Sequence, residues 1–227
     1  VKRRVDQLLS SLGYGSRKEA HAFCRAGRVR VAGAVLDDAS ERAAPSEVTL
    51  DGAPLEFPDG LLVVLHKPVG LVCSHDAREG PRVYDLLPPR WLLRDPKVTT
   101  VGRLDKDTSG LLLVTDQGAL VQKLTSPKQH VEKVYVATLD RAPGGEILER
   151  FAEGIELREG GELEKTLPAK AVVLDDKRVE VTLHEGRYHQ VRRMFSACGF
   201  EVTALERTRF GEWTLEGLQP GAWRPAR

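Results

Sequence analysis

Gly102-Arg103-Leu104-Asp105-Lys106-Asp107-Thr108-Ser109-Gly110-Leu111-Leu112-Leu113-Val114-Thr115 is a polar loop with a glycine at each end, running straight into an apolar segment. The apolar part, 111–115, reads as a buried strand, and Val98-Thr99-Thr100-Val101 ahead of the loop reads as another. Outward from this pair, β-branched and apolar runs predict further strands at 61–65, 134–138, 171–174 and 179–183. Helical spacing is expected at 119–124, 146–152 and 188–198. The mixture predicts an α+β domain, a sheet with helices laid against it.

Several readings of the loop compete. Asp105, Asp107, Ser109 and Gly110 match the early positions of an EF-hand calcium loop, and Asp116 falls on its twelfth, but that motif needs helices where strands are expected. Two carboxylates could serve glycoside hydrolysis, yet two residues apart on an extended segment they point to opposite sides. A loop pinned by glycines could instead hold one carboxylate over a cleft as a nucleophile. An ordinary Asp- and Gly-rich turn is the bland alternative.

Ahead of the strand region the charge is segregated. The first thirty residues carry Lys2, Arg3, Arg4, Arg17, Lys18, Arg25, Arg28 and Arg30 against Asp6 and Glu19; the next stretch carries Asp37, Asp38, Glu41, Glu47, Asp51 and Glu56 against Arg42. Val5, Leu8, Leu9 and Leu12 recur at helical intervals up to Gly13, Ser16 with Glu19 forms a capping box for a second helix ending at Gly27, and Arg28-Val29-Arg30-Val31 alternates as a strand before an Ala32-Gly33 turn. A basic face of this kind suits phosphate contact. Ala53-Pro54-Leu55-Glu56-Phe57-Pro58-Asp59-Gly60 reads as a linker.

Composition sets the outer limits. With 227 residues, 41% apolar and 30% charged, the chain is neither disordered nor fibrous, and its net charge of +1 hides the basic amino-terminal segment. Three distant cysteines, Cys24, Cys73 and Cys198, provide neither a disulfide framework nor a zinc knuckle. No apolar run reaches membrane-span length and no signal-peptide core is evident, so a cytoplasmic location is expected.

Residues 4–33, from Arg-Val-Asp-Gln-Leu-Leu through Gly-Tyr-Gly-Ser-Arg-Lys-Glu-Ala to Ala-Gly-Arg-Val-Arg-Val-Ala-Gly, resemble the small RNA-binding module named after ribosomal protein S4. Gly102-Arg103-Leu104-Asp105 with 108–115 resembles the active-site motif of the pseudouridine synthases, in the branch that modifies ribosomal RNA and carries an S4-like domain in front. Leu65-His66-Lys67-Pro68-Val69-Gly70, Glu132-Lys133-Val134-Tyr135-Val136 and Glu185-Gly186-Arg187-Tyr188-His189-Gln190-Val191-Arg192-Arg193-Met194-Phe195 fit the same branch in order. The resemblance implies an S4-like α+β domain over 1–57 and, over 58–227, a mixed, mainly antiparallel sheet with flanking helices. Val72-Cys73-Ser74, Thr125-Ser126-Pro127-Lys128 and the Tyr188-His189-Gln190 run look most like the RsuA-type members, specific for uridine 516 of small-subunit (16S) rRNA. A 23S rRNA uridine, or a noncatalytic ribosome-assembly role on the same scaffold, are the alternatives.

The implied reaction breaks the uridine N1 glycosidic bond, turns the base over and joins its C5 to the ribose, so no cofactor and no metal are expected. The resemblance assigns the nucleophile to Asp105, attacking ribose C1′ or uracil C6, and gives Tyr135 a place against the base. A carboxylate enclosed beside a base needs a nearby cation to stay ionised. Arg192 is the candidate, by resemblance and because a helix from 188 would put it at the edge of the Val191, Met194, Phe195 and Cys198 stripe. On the 133–137 strand Tyr135 should share a face with Lys133 and Ala137, with Val134 and Val136 toward a core. Expected RNA contacts are Arg3, Arg4, Arg17, Lys18, Arg25, Arg28 and Arg30 in the first domain and Lys67, Arg103, Lys133, Arg187 and Arg193 in the second, with His130 and His189 as further possibilities; Lys67 and Arg103 are expected to position either the loop or the RNA, with no chemical role. The expected partner is rRNA, 16S rRNA in a small-subunit assembly intermediate, bound by a monomer with no membrane association.

Overall fold

The computed structural model describes residues 1–226; Arg227, the last residue of the expected second domain, lies outside the described residues. The amino-terminal unit runs β1 (Arg3–Arg4), α1 (Val5–Ser11), α2 (Arg17–Arg25), β2 (Val29–Val31), β3 (Ala34–Val35), β4 (Arg42–Ala43), β5 (Val48–Leu50) and β6 (Ala53–Pro54). Ser16 and Glu19 close the expected capping box at the start of α2. The apolar stripe of α1, Val5, Leu8, Leu9 and Leu12, is fully sequestered against Ala20, Cys24, Val29 and Val48.

Asp6 holds the helix pair together. Its carboxylate is 1% exposed and accepts from Arg4 Nε at 3.0 Å and from Arg17 Nη2 at 2.7 Å. The Arg4 hydrogen bond first, and then Arg17 and the Gln7 N–H, hold the carboxyl well below the usual carboxylate range against the opposing effect of burial. A depressed pKa contributes stability that is fully present above the ordinary value and lost as the pH falls through the folded one. Asp6→Asn should therefore destabilise the protein by about 2 kcal/mol at pH 7. In urea unfolding measured across pH, that gap should close progressively below about pH 4.

The second unit continues with β7 (Leu62–Lys67), β8 (Thr99–Thr100), β9 (Thr108–Thr115), α3 (Gly118–Thr125), β10 (Lys133–Leu139), α4 (Glu146–Glu153), β11 (Glu156–Glu159), β12 (Glu162–Lys165), β13 (Lys170–Val173), β14 (Arg178–Leu183), α5 (Gln190–Ala197), β15 (Val202–Phe210), β16 (Trp213–Thr214) and β17 (Trp223–Pro225). Its main sheet has the order β13-β14-β10-β15-β9-β7-β17. The β15–β9 pair is parallel and the other neighbours antiparallel. The fold is thus α+β, a small helix-and-strand domain followed by a mixed, mainly antiparallel sheet with flanking helices. No helix of the described residues is long and apolar enough to cross a membrane.

Strand alternation divides the core. Val63, Leu65, Leu112 and Val114 pack with Tyr84 and Trp91 on one face, while Leu62, Val64, Leu111 and Leu113 meet Phe210 and α3 on the other. A further cluster joins β10, β14 and β15 to α4 and α5 through Ala137, Val181, Leu205, Phe151 and Phe195.

Three expectations need correction. The segment 53–60 is no free tether: Ala53 and Pro54 pair with β5, Leu55 completes the first core, and Phe57 packs edge-on to Trp91 at 5.3 Å. Polar groups lock it further, since Trp91 Nε1 and Arg90 Nη2 donate to Glu56 Oε2, and Arg94 Nη2 donates to the Phe57 carbonyl. The first domain also docks directly, with the Asp95 N–H on the Ser11 carbonyl at 2.9 Å. Secondly, α5 begins at Gln190, because His189 takes a left-handed conformation (φ 47°) and stops helical continuation back to Tyr188. Thirdly, the Ala137 and Leu139 side of β10 faces the core and Val136 is half-buried, while Val134 is buried as expected; the register shifts against β15 leave Thr203 and Thr208 of that strand unpaired and do not interrupt the alternation of β10 itself.

Candidate active site

Four strands place one row of residues across the sheet. Lys67 of β7 lies opposite Gly110 of β9, Gly110 opposite Arg207 of β15, and Arg207 opposite Tyr135 of β10. Facing residues in register share a side of the sheet, so two cations and a tyrosine stand side by side, with a glycine between them. Gly110 (φ 112°) is required there because a Cβ would strike the Arg207 backbone. Above the row, between the β7–β9 core and the β10–β14 core, lies a cavity of about 600 Å³. Arg103, Asp105, Lys133, Tyr135, Arg187, His189 and Arg207 are among its lining residues. The size is that of a site for a small molecule or a single nucleotide base.

The Asp105 loop is held from below by Lys67. This side chain is 0% exposed, and its ammonium donates to the carbonyls of Thr108 at 2.7 Å, Asp105 at 3.0 Å, Pro68 at 3.1 Å and Lys106 at 3.4 Å. The Gly70 N–H holds the Lys106 carbonyl at 2.7 Å. Burial pushes the Lys67 pKa down, and the nearby Cys73, Asp105 and Asp107 oppose that shift. Lys67 therefore positions the loop, the first of the two roles expected for it, and is sealed from the RNA contact that was the other. The loop sits between β8 and a β9 that already starts at Thr108, so it lacks the flanking helices an EF-hand needs.

Asp105 and Asp107 diverge as expected. Asp105 turns into the cavity, 33% exposed, and His189 Nε2 lies 3.2 Å from its Oδ1. Asp107 turns outward, 65% exposed, and Arg192 Nη2 sits 2.9 Å from its Oδ2. Arg192 was expected beside Asp105; instead it bridges Asp107 and the Val202 carbonyl. His189, for which the sequence offered no carboxylate partner, takes the place at Asp105. His130, the other histidine considered, lies on a left-handed turn where its carbonyl contacts His184 Nδ1.

The cations of the cavity floor are Arg207 and Lys133. Arg207 is 2% exposed; its Nε donates to the Leu111 carbonyl at 2.8 Å, and its Nη2 is buried without a protein partner. A buried guanidinium N–H with no acceptor calls for a ligand or water to complete it. Burial lowers the Lys133 pKa, the Arg207 charge lowers it further, and Glu185 opposes both. Arg207 was missed in the sequence because β15 mixes apolar and charged residues. The available signal was phase: Leu205 and Arg207 occupy the same, inward side of the alternation.

The remaining expected RNA contacts separate by their partners. Arg4 and Arg17 are committed to Asp6, Arg28 to Asp51, Arg3 to Ser11 and Arg30 to the Gly33 carbonyl. Lys18 and Arg25 are exposed on α2 with no ion-pair partner among the described residues. Arg103 is exposed at the cavity edge. Arg187 is tied to Glu164 and Glu185, and Arg193, expected to face solvent, is locked onto Glu159 and the Arg158 carbonyl of β11.

Comparison with known proteins agrees with this architecture. Residues 61–197 match the family model described as RNA pseudouridylate synthase, and residues 3–48 match the S4 domain model. The chain is 39% identical to "Ribosomal small subunit pseudouridine synthase A" of Escherichia coli, covering 98% of this chain and 95% of that protein. It is 38% identical to an uncharacterised RNA pseudouridine synthase of Bacillus subtilis over 97% of this chain and 93% of that one. A solved crystal structure of a pseudouridylate synthase superposes with a TM-score of 0.68 at 37% identity, covering 99% of this chain and 96% of the other.

Proposed function

This chain belongs to the RNA pseudouridylate synthase family, and from that premise we propose that it converts uridine 516 of 16S ribosomal RNA to pseudouridine. The observation that carries the target is the likeness to a small-subunit rRNA synthase, which extends through both domains of this chain. We further propose that 1–57 is the RNA-holding module and 58–227 the catalytic one, acting as a monomer on a small-subunit assembly intermediate. The cores change over close to this boundary: Leu55 belongs to the first, whereas Phe57, the last residue of the first unit, already packs on the second.

In the reaction the N1–C1′ bond breaks, the C5–C1′ bond forms, C5 loses its proton and N1 gains one, so the product is an isomer of the substrate. Asp105 is the nucleophile, holding the nucleotide covalently at ribose C1′ or uracil C6 while the base turns. Its support is geometric: it is the carboxylate of the loop that faces the cavity. Tyr135 lies against the base, and Arg207 and Lys133 supply positive potential where the detached uracil is electron-rich. Arg192 acts at one remove, fixing Asp107 and so the loop that carries Asp105. A paired uridine must leave its stack to reach this cavity, which costs about a few kcal/mol.

Phosphate contacts in the first domain offset part of that cost. Arg25→Ala and Lys18→Ala should each weaken RNA binding and reduce the log–log salt slope by about 1 in filter binding across salt concentrations. Function is tested by incubating purified protein with unmodified 16S and 23S rRNA transcripts and with reconstituted small-subunit particles, then mapping pseudouridine by site. New pseudouridine at uridine 516 is expected. Conversion confined to 23S rRNA overturns the target, and no conversion in any of them overturns the synthase reading.

A further inference from the structure

Tyr188 is 75% exposed, whereas the other tryptophans, tyrosines and phenylalanines among the described residues are buried or half-buried. It stands at the rim of the Asp105 cavity with one face of its ring stacked on His189, centroids 3.9 Å apart and planes 16° from parallel. One face of the ring is thus free beside the cavity, where a flat ligand laid on it would gain the burial of that face. The pair is also held rigidly. His189 keeps a left-handed backbone conformation (φ 47°, ψ 34°), which is strained for a residue with a side chain. Arg193 clamps the turn, its N–H on the His189 carbonyl at 3.0 Å and its Nη1 on the Tyr188 carbonyl at 3.1 Å, and is itself anchored on Glu159. His189 in turn reaches Asp105, so the stack is registered against the proposed nucleophile.

We infer that Tyr188 and His189 form a stacking platform for an unpaired nucleobase adjacent to the target uridine, an inference that rests on the synthase reading. A base on the open face of Tyr188 stands two stacking steps from the imidazole plane and its Asp105 contact, the place of a neighbour rather than of the reacting base. When the uridine leaves the helix, its neighbour loses a stacking partner, and Tyr188 replaces it. The aromatic pair matches this occupant because every nucleobase presents a π-face, and the exposed Arg103 on the same rim suits the accompanying phosphate.

The test is equilibrium filter binding of the unmodified 16S rRNA transcript, which needs no turnover, with conversion by the unaltered protein measured alongside. Tyr188→Ala should raise the Kd by about tenfold or more, the scale of one base–aromatic stack. The log–log salt slope should stay unchanged because no phosphate contact is lost. Tyr188→Phe should restore binding to within about twofold, since the ring and not the hydroxyl carries it. An unchanged melting temperature would show that the fold is intact, as expected for an exposed side chain. A Kd for Tyr188→Ala within about twofold of the unaltered protein, a slope reduced by about 1, or no rescue by phenylalanine would overturn the platform. Failure of the unaltered protein to convert the transcript would count against the synthase reading alone.

Discussion

Asp105→Asn is expected to abolish pseudouridine formation, lowering kcat by at least about 10⁴-fold, the scale on which removing a covalent nucleophile acts. The amide keeps the shape of the carboxylate and can still hydrogen-bond to His189, so binding and folding should survive while the nucleophile does not. Fold integrity is expected because Lys67 grips the loop through main-chain carbonyls, which the substitution leaves in place. Asp107→Asn is the matched control. It weakens a contact to Arg192 on the solvent side of the loop and should cost far less, about tenfold, through looser positioning. Single-turnover conversion by the two variants checks the choice between these carboxylates. Comparable losses in both, or retained activity in Asp105→Asn, would reject the assignment.

The largest stability effect is expected at Arg94. Its side chain is 0% exposed; Nε donates to Asp116 Oδ2 at 2.8 Å, Nη2 to the Phe57 carbonyl at 2.8 Å and Nη1 to the Glu56 carbonyl at 3.3 Å. The other Asp116 oxygen accepts the Leu61 N–H at 2.8 Å, so a single ion pair ties the segment between the domains to the end of β9. Arg94→Ala would leave the buried Asp116 carboxylate without its counter-ion and remove a donor from the Glu56 and Phe57 carbonyls, and should cost about 4 kcal/mol. For a chain of this size that corresponds to a fall in Tm of about 10 °C. Arg94→Met combined with Asp116→Leu removes both charges and should recover much of the loss, since an apolar pair carries no uncompensated charge. Urea unfolding of the single and double variants measures this. A single variant within about 1 kcal/mol of the original would show that the joint is not held by this pair.

The sequence was informative where one physical signal dominated. The Val5, Leu8, Leu9 and Leu12 spacing and the Ser16–Glu19 box marked both amino-terminal helices, and the apolar runs at 61–65 and 111–115 marked β7 and β9 to within a few residues. It failed where burial is achieved by pairing rather than by apolarity. Strand β15, at the centre of the sheet, was missed because Glu206 and Arg207 lie within it, and only the fold reveals that His66 Nε2 meets Glu206 at 3.1 Å and the Leu111 carbonyl receives Arg207. Asp116, which matched the last position of a calcium loop by spacing, is the partner of a buried arginine 22 residues earlier. Around Asp105 the residue types were legible and their pairings were not. A left-handed turn at His189, which no periodicity signals, ends the helix short of that residue and sets it beside Asp105, while Arg192 within α5 reaches Asp107.

The most direct measurement of the central claim is site-resolved pseudouridine mapping of rRNA from cells lacking this protein, complemented with either the original chain or its Asp105→Asn variant. The mark should be absent at uridine 516 of 16S rRNA in the deletion, return with the original chain and stay absent with the variant. Persistence of the mark without the protein, or its return with Asp105→Asn, would contradict the account.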